Sequence, residues 1–388
     1  AVDWQSTSIM TWHQLSKRYC NMKTYNNILF IVPLPPPVHG SSMMSMYIKN
    51  SKLINDNARC DYVNLSTSRS MDEIQKFSIK KIFRFLYSYL KTFIYLVTRR
   101  YDTCYLATSC FGIPFLKDAP FVLMCKLFCN NVIIHFHNKG MKEYSSKPFY
   151  KWIYHLVYKH TTVILLSELL YDDVKGVIKK EQVRICPNGI PELINSPKTE
   201  SKKNNPIPTI LFLSNLIESK GVICLLDACK ILRDQGCEFI CNLVGGETKE
   251  INIERINKEI SNRGLGTYVF YKGRAYGLEK ERYYNNADIF VFPTYYAQEC
   301  FPVVLLEAMQ HRLPCVSSYE GAIPEIIEHG YNGLLCNPHD VDSLAHCLKN
   351  LINNKEGRGR MGANSLSFYE TKYKLTNFES TLNSILKS

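Results

Sequence analysis

Two glutamates with a fixed spacing stand out in this sequence as candidates for chemistry. Glu299 and Glu307 are separated by seven residues in the segment TYYAQECFPVVLLEAMQHRLPCVSSYEGAIPE (294–325). If DIFVFPT (288–294) is a strand followed by a helix, Glu299 lies in the connecting loop and Glu307 lies about a turn and a half into the helix. Two carboxylates placed in this way can accept hydrogen bonds from the hydroxyls of a ligand. The alternative is a pair of solvated acids on a helix face.

The start of that helix is predicted near Pro302. Proline suits the first helical turn, where the N–H that it lacks would have had no partner. The amides of Val303 and Val304 follow it and would point into solvent or a cleft with the positive end of the helix dipole behind them. This pattern predicts a binding site for a diphosphate.

Short apolar runs supply the elements that must position these residues. They alternate with helical segments, which is typical of parallel sheets covered on both faces. The sequence therefore predicts an α/β fold with two Rossmann-like domains facing across a cleft, where ligands bind at the carboxyl ends of the strands. The runs are NILFIVPL (27–34), DTCYLAT (102–108), NVIIHFH (131–137), TTVILLS (161–167), TILFLSN (209–215), FICNLVGG (239–246), YVFYKG (268–273), DIFVFPT (288–294) and PCVSS (314–318).

A polar, proline-bearing stretch divides these runs into two groups and sets the predicted domain boundaries. We expect the last helix to return to the first domain. The segments are an N-terminal appendage (1–21), a first domain (22–195), a linker (196–208), a second domain (209–368) and a C-terminal helix (369–388).

Charge is distributed unevenly over the 388 residues. The net charge of +12 lies entirely in residues 1–195, which hold 25 Lys and Arg against 13 Asp and Glu, whereas residues 196–388 hold 22 of each. A nucleic-acid-binding protein would need a recognisable binding module beside such a basic region, and the sequence has none. The 15 cysteines form no CxxC pair and have no nearby histidines to complete a metal site, so we expect reduced thiols and no metal.

The segment IKKIFRFLYSYLKTFIYLVTRR (79–100) predicts a basic, aromatic-rich amphipathic helix. Its apolar run is interrupted by lysine and arginine and is too short to span a membrane. Two interpretations stay open: a core helix with a solvated face, or a helix resting on an anionic membrane surface. Because no secretory signal is evident, we expect a cytoplasmic protein, peripheral on the inner face of the cytoplasmic membrane under the second interpretation.

Taken together, these motifs resemble those of the retaining glycosyltransferases of family four, which have the GT-B fold. Their signature is usually written E-G-F-G-x-x-x-x-E, and ECFPVVLLE (299–307) matches both glutamates and Phe301. CPNGI (186–190), the SKG of ESKGVICLLDA, the LVGGE loop and YNGLL (331–335) add to the resemblance. A dehydrogenase is excluded because the first strand is followed by PLPPPVHGSSMMS instead of GxGxxG.

The resemblance implies roles for individual residues. In the second domain, Glu299 would hold donor-sugar hydroxyls, Glu307 the ribose hydroxyls of the nucleotide, and Lys220 the phosphates. Gly221 would allow a tight turn directly before the next helix. The remaining donor-binding candidates are Phe301, Val303, Val304, Gly245 and Gly273.

The chain departs from the family where Ser214 and Asn215 replace the usual Gly-Arg. Asn215 can donate a hydrogen bond but carries no charge. Either Arg274 supplies the missing cation, or the protein relies more on Lys220 and the helix; we favour the second. Two glycines of the signature are also replaced, by Cys300 and Pro302, which removes backbone freedom near the donor sugar.

The first domain would contribute the opposite wall of the cleft. Gly40 and Ser41 stand where the family places a small-residue loop facing the diphosphate, and the adjacent His39 is either an acceptor-side ligand or a loop residue. His137 is expected to contact the donor sugar. We expect His135 and His137 to point to opposite faces of their strand end, with Asn138 and Gly140 continuing the cleft loop.

The resemblance also implies a reaction. It predicts transfer of a sugar from a nucleotide-diphospho-sugar, with retention of configuration and without a metal or other cofactor. The acceptor would be a glycan or a polyprenyl-linked glycan in surface polysaccharide synthesis. The alternatives are an inactive sugar-nucleotide-binding protein and a GT-B enzyme of another type, such as an epimerase or a phosphorylase.

Overall fold

The structure is a computed structural model that describes residues 26–69, 73, 78–193 and 207–387. It contains two α/β domains, each built on a six-stranded parallel sheet. The fold class expected from the alternating apolar runs is therefore confirmed. The proposed appendage (1–21) and most of the proposed linker (196–208) lie outside the described residues.

The first domain has the strand order β2-β1-β3-β4-β5-β6. Its strands are β1 (Asn26–Val32), β2 (Ala58–Asn64), β3 (Thr103–Leu106), β4 (Asn131–His135), β5 (Thr162–Leu165) and β6 (Val183–Ile185). Its helices are α1 (Gly40–Asn50), α2 (Lys52–Asn55), α3 (Ile79–Thr98), α4 (Gly112–Phe128), α5 (Met141–Ser145), α6 (Pro148–Tyr158) and α7 (Tyr171–Val174), with 3-10 turns at Glu168–Leu170 and Lys180–Gln182.

Alternate residues of β1 face the two sides of this sheet, as the pleat requires. Phe30 belongs to the same buried cluster as Met44 of α1. Ile31 belongs to the cluster that contains Leu96 of α3 and Phe115 of α4. Helices α3, α4 and α6 therefore cover one face of the sheet side by side, while α1 covers the other.

The second domain has the strand order β12-β11-β10-β7-β8-β9. Its strands are β7 (Thr209–Leu213), β8 (Ile240–Val244), β9 (Val269–Gly273), β10 (Ile289–Phe292), β11 (Cys315–Ser318) and β12 (Gly333–Cys336). Its helices are α8 (Val222–Asp234), α9 (Ile253–Asn262), α10 (Gly277–Asn286), α11 (Val303–Gln310), α12 (Ile323–Ile326), α13 (Val341–Asn353) and α14 (Lys355–Phe368), with a 3-10 turn at Glu218–Lys220.

The chain ends by crossing back to the first domain. After α14, a π-helical turn (Tyr369–Tyr373) leads into α15 (Leu375–Lys387). Phe378 and Leu382 of α15 are buried against Phe30 and its neighbours. This crossing ties the two domains together and leaves the carboxyl ends of both sheets facing the cleft.

Helix α3 spans 20 residues and coincides with the basic amphipathic segment. Thr92 and Leu96 are its buried side chains. Among the described helices, none is both long enough and apolar enough to cross a membrane.

Candidate active site

A cavity of about 640 Å³ lies between the two domains. Its walls are the loops that follow β1, β2, β3 and β4 in the first domain and β7 and β10 in the second. Parallel α/β sheets bind ligands at this end of their strands. Eight of the sequence-based candidates line this cleft: Glu299, Lys220, His137, Gly40, Ser41, Phe301, Val303 and Val304.

Two helix N-termini converge across the cleft. Helix α1 begins at Gly40 and helix α11 begins at Val303, and neither has an acidic residue in its first turn. A Cβ atom built on Gly40 would lie 3.9 Å from Cγ2 of Val303. The first amides of a helix have no partner within the helix, and its dipole makes this end positive. The arrangement therefore forms a site for an anion with two or more charged oxygens.

The start of α1 is fixed by His39, which caps the helix. The Nδ1 atom of His39 accepts from the backbone N–H of Ser42 at 3.3 Å, and the His39 N–H donates to the Ser42 hydroxyl at 3.0 Å. Burial lowers the pKa of His39, which keeps Nδ1 available as an acceptor. This capping role aims the amides of Gly40 and Ser41 into the cleft.

Lys220 and Glu299 form an ion pair in the second-domain wall of the cleft. The Lys220 Nζ lies 2.5 Å from Oε2 of Glu299, and both side chains are largely buried, with exposed fractions of 16% and 10%. The ammonium also lies 4.3 Å from the centre of the Tyr296 ring, within cation–π range. The pair therefore places one cation and one carboxylate side by side in the cleft wall.

The position of Lys220 depends on the glycine that follows it. Gly221 has φ +88° and forms the N-cap of α8. A Cβ atom at this position would lie 2.1 Å from the carbonyl oxygen of Pro293, at the end of β10. Only glycine allows the chain to turn so close to the neighbouring strand, which brings Lys220 to the segment carrying Glu299.

The expectation that His135 and His137 point to opposite faces is wrong. Residues two positions apart along an extended chain share a face. The two imidazole rings lie side by side with centroids 4.2 Å apart and planes tilted by 36°, and the intervening Phe136 packs against Tyr158 on the other side. Nδ1 of His135 is 2.6 Å from the hydroxyl of Tyr105.

His137 lines the cleft. Both of its ring nitrogens are buried and have no hydrogen-bond partner among the described residues. Burial lowers the pKa of His137 to about 4, and the charge of His39 acts in the same direction. The imidazole is therefore neutral near pH 7, with one donor and one acceptor nitrogen for a polar ligand.

Glu307 lies one helical turn beyond the cleft-facing amides of α11. Its carboxylate accepts from Nζ of Lys280 at 2.7 Å and from the hydroxyl of Tyr284 at 2.9 Å. It lines an adjoining cavity of about 380 Å³, to which Tyr47 of α1 contributes from the first domain. The carboxylate is thus held in place and open on one side to a ligand.

Four of the remaining candidates do not line the main cleft. Asn215 is exposed, while the preceding Ser214 faces the cleft. Gly245 packs on the Ser214 carbonyl, where a Cβ atom would lie 1.7 Å from the oxygen. Gly273 and Arg274 line a separate cavity of about 380 Å³ at the ends of β8 and β9. Arg274 therefore does not line the main cleft in this arrangement.

Several cleft residues were not singled out in the sequence. Lys139 and Glu320 form an ion pair across the domain boundary. Asp118, buried in the first-domain wall, accepts from the Ser109 N–H, and burial raises the pKa of its carboxyl. Residues 65–68 form the rim after β2. The signal that could have found the loop residues is their place just after parallel strands.

No cluster of three or more His, Cys, Asp or Glu side chains suitable for a metal ion occurs in the part of the chain that the structure describes. The cations at the cleft are lysines and the positive helix ends.

Comparison with protein families gives a match for the second domain. Residues 195–367 match the family described as "Glycosyl transferases group 1". The amylovoran biosynthesis glycosyltransferase AmsK of Erwinia amylovora is 35% identical over 176 residues, and the putative colanic acid biosynthesis glycosyltransferase WcaL of Escherichia coli is 28% identical over 173 residues. Each alignment covers 44% of this chain and 42% of the relative, so the chain matches less than half the length of these proteins.

Solved structures are similar over nearly the whole chain. Sucrose-phosphate synthase from Thermosynechococcus elongatus superposes with a TM-score of 0.72 at 16% identity, covering 93% of this chain and 98% of that protein. Anabaena HepE in complex with UDP-glucose superposes with a TM-score of 0.70 at 17% identity, covering 93% and 99%. At these identities the likeness establishes the shared two-domain fold.

Proposed function

We propose that the protein is a retaining glycosyltransferase, because residues 195–367 match the glycosyl transferases group 1 family and the chain shares the two-domain fold of solved relatives. It transfers a sugar from a nucleotide-diphospho-sugar to a glycan or polyprenyl-linked glycan during surface polysaccharide synthesis. The observation that carries the proposal is the convergence of two helix N-termini beside the Lys220–Glu299 pair. The names of AmsK and WcaL point to the same class of acceptor.

The donor's diphosphate binds between the amides of Gly40 and Ser41 and those of Val303 and Val304. These four amides and the Nζ of Lys220 then surround a dianionic group from both domains. Charge-assisted hydrogen bonds to preorganised donors in a partly buried site are stronger than those in water. The ribose diol binds at Glu307, one turn further along α11, where the carboxylate accepts its hydroxyls.

The sugar occupies the space between Glu299 and His137. Glu299 accepts hydrogen bonds from sugar hydroxyls, and the neutral imidazole of His137 offers one donor and one acceptor from the opposite wall. When phosphate oxygens draw Lys220 toward the donor, the Glu299 carboxylate is freed for the sugar. The ring nitrogens of His137, which are buried and have no hydrogen-bond partner in the part of the chain that the structure describes, support this assignment.

Transfer proceeds on one face of the sugar. The bond between the anomeric carbon and the phosphate oxygen breaks, and the acceptor oxygen bonds to the same face of that carbon. The acceptor's proton passes to the leaving phosphate oxygen. Lys220 and the helix amides stabilise the charge on the departing diphosphate, and the two walls hold donor and acceptor in reacting geometry.

Protein cations and amides replace a metal ion in this proposal. We therefore expect full transferase activity in the presence of a chelator. A loss of activity that Mg²⁺ or Mn²⁺ restores would contradict the metal-independent mechanism. The absence of Arg274 from the cleft favours the interpretation in which Lys220 and the two helix ends carry the phosphate charge.

A thermal-shift panel of UDP-, GDP-, ADP- and CDP-sugars tests donor binding, because a ligand that binds only the folded state raises the melting temperature. UDP-sugars are tested first, since HepE was solved with UDP-glucose.

A transfer assay follows, in which the stabilising donor, radiolabelled in its sugar, is incubated with membrane glycolipid extracts. Transfer with retained configuration supports the proposal. Binding without transfer would identify an inactive binding protein, and an altered free sugar nucleotide would identify an epimerase.

A further inference from the structure

One outer face of the first domain exposes many large apolar side chains. Ten residues of α3 take part, and Phe83 and Tyr87 are 67% and 68% exposed. Surfaces of soluble monomers rarely present so many contiguous apolar side chains without a partner. We call this surface the apolar face, which consists of Ile79, Ile82, Phe83, Leu86, Tyr87, Tyr89, Leu90, Phe93, Ile94 and Val97 of α3, Leu127 and Phe128 of α4, and Phe149, Trp152 and Leu156 of α6.

The three helices form one continuous surface. They cover the same side of the sheet, and the rings of Phe93 in α3 and Phe128 in α4 are 6.3 Å apart at their centroids. At the other junction, Nζ of Lys126 in α4 donates to the carbonyl of Leu156 in α6 at 2.7 Å. The apolar face therefore extends across all three helices.

The charge of this surface has a single sign. Across 79–98, 112–128 and 148–158, the sequence has one carboxylate, Asp118, which is buried. Lys80 and Lys151 are exposed on these helices, and Arg100 is exposed just beyond α3. Aromatic and aliphatic side chains bordered by cations, with no exposed acid on the three helices themselves, match the interface of an anionic bilayer. The acid beside α3, Glu73, is paired with Arg84.

We propose that the apolar face docks the protein on an anionic lipid surface. A second copy of the chain is a poorer occupant, because a symmetric dimer would bring two faces of the same positive charge together. A bilayer instead supplies the opposite charge and accepts the apolar side chains to a shallow depth.

The docking surface adjoins the mouth of the cleft. Nη1 of Arg84 in α3 donates to the carbonyl of Thr67 at 2.8 Å, and the hydroxyl of Ser88 donates to the carbonyl of Asn64 at 2.8 Å. Thr67 belongs to the rim that lines the cleft. If the proposed function holds, an acceptor anchored in the bilayer beside α3 reaches the cleft over this rim, which favours a lipid-linked acceptor.

Vesicle sedimentation with the full chain tests the docking. Vesicles of phosphatidylglycerol and phosphatidylcholine in equal parts should bind the protein, and binding should weaken on pure phosphatidylcholine and at raised salt. The double variant Phe83→Glu/Tyr87→Glu should reduce binding about tenfold or more, since it places two charges at the apolar contact. Phe83→Gln/Tyr87→Gln should also weaken binding, by loss of the apolar contact alone.

The matched control is Leu53→Glu/Tyr331→Glu, which makes the same charge change at two exposed residues outside this surface. It should bind vesicles like the unaltered protein. Three results would each overturn the inference. The first is that the protein does not bind the vesicles, and the second is that the control variant loses as much binding as Phe83→Glu/Tyr87→Glu. The third is a dimer, detected by sedimentation equilibrium, that Phe83→Glu/Tyr87→Glu dissociates. Nucleotide thermal shifts, measured in parallel, test the proposed function independently of docking.

Discussion

Lys220 and Glu299 satisfy each other as an ion pair in the wall of the cleft. A buried cation beside a buried carboxylate costs less than either charge alone. An arriving diphosphate offers Lys220 more negative charge than the single carboxylate does. Under the proposed function, the pair would work as an exchangeable contact, in which the lysine shifts toward phosphate and the glutamate toward the sugar.

We predict that Lys220→Ala reduces turnover about 100- to 1000-fold with the donor found in the thermal-shift panel, the loss typical of removing one donor to a developing anion. Glu299→Ala and Glu307→Ala should also reduce transfer severely. The measurement is steady-state transfer, with circular dichroism confirming that each variant is folded. Lys230→Ala, on the exposed side of α8, is the matched control and should keep full turnover. Near-normal turnover in all three site variants would contradict the assignment.

The pKa of His137 predicts a dependence of stability on pH. Folding lowers this pKa from its usual value of about 6.5 to about 4, so the unfolded state binds the proton more readily between these values. The free energy of unfolding should therefore be constant above about pH 6.5 and fall as the pH drops toward 4, by about 1.4 kcal/mol per pH unit for one proton. Urea unfolding measured from pH 7.5 to 4.5 gives this slope.

The variant His137→Gln should make that slope shallower by about one proton. The ring of His135 contacts that of His137 and its pKa is also lowered by burial, so part of the slope should remain. Removing an exposed histidine with His346→Gln should leave the slope unchanged. An unaltered slope in His137→Gln would show that this residue does not bind the proton on unfolding.

At the scale of elements, helix α11 offers a way to remove one backbone donor without losing the helix. Val303 is its first residue, where proline is tolerated, and the preceding Pro302 has φ −71° and ψ 112°, as a residue before proline requires. We predict that Val303→Pro weakens donor binding about tenfold or more, because it deletes an amide aimed at the diphosphate. Isothermal titration calorimetry with the donor measures the effect.

Val303→Ala is the control for this prediction, since it shortens the same side chain and keeps the N–H. It should bind the donor almost as the unaltered protein does, and both variants should melt within a few degrees of each other. Equal affinity of Val303→Pro and Val303→Ala would indicate that the diphosphate does not contact this amide.

The sequence predicted the elements well because their signals are local. Continuous apolar runs gave nine of the twelve described strands, whereas β2, β6 and β12 were not among the predicted runs. Pro302 marked the start of α11, and residues 79–100 were recognised as an amphipathic helix. Partners brought in from distant elements escaped prediction. Lys280 and Tyr284 reach Glu307 from α10, and no local pattern indicates that contact.

At the scale of the whole molecule, the return of α15 determines how the two domains meet. Its packing on the first domain and the backbone hydrogen bonds of Ile190 with Tyr373 and Leu375 form a firm junction on one side of the cleft. On the other side, Lys139 and Glu320 link the domains through two loops. If the cleft opens on this side, the Lys139–Glu320 pair has to separate, and we expect the junction at α15 to act as the hinge.

We predict that Glu320→Gln favours the open arrangement. The carboxylate is 17% exposed and pairs with Lys139 across the cleft, so its neutralisation removes an attraction that exists only when the domains are closed. Small-angle scattering should give a larger radius of gyration for the ligand-free variant. The KM for the donor should rise about three- to tenfold, as expected from the loss of about 1 kcal/mol of closure energy, with a smaller change in kcat.

Asp172→Asn is the matched control, because it removes an ion pair with Lys142 inside the first domain and should alter neither quantity. If Glu320→Gln left both the scattering and KM unchanged, the pair would have no part in closure, and the hinge at α15 alone would set the domain arrangement.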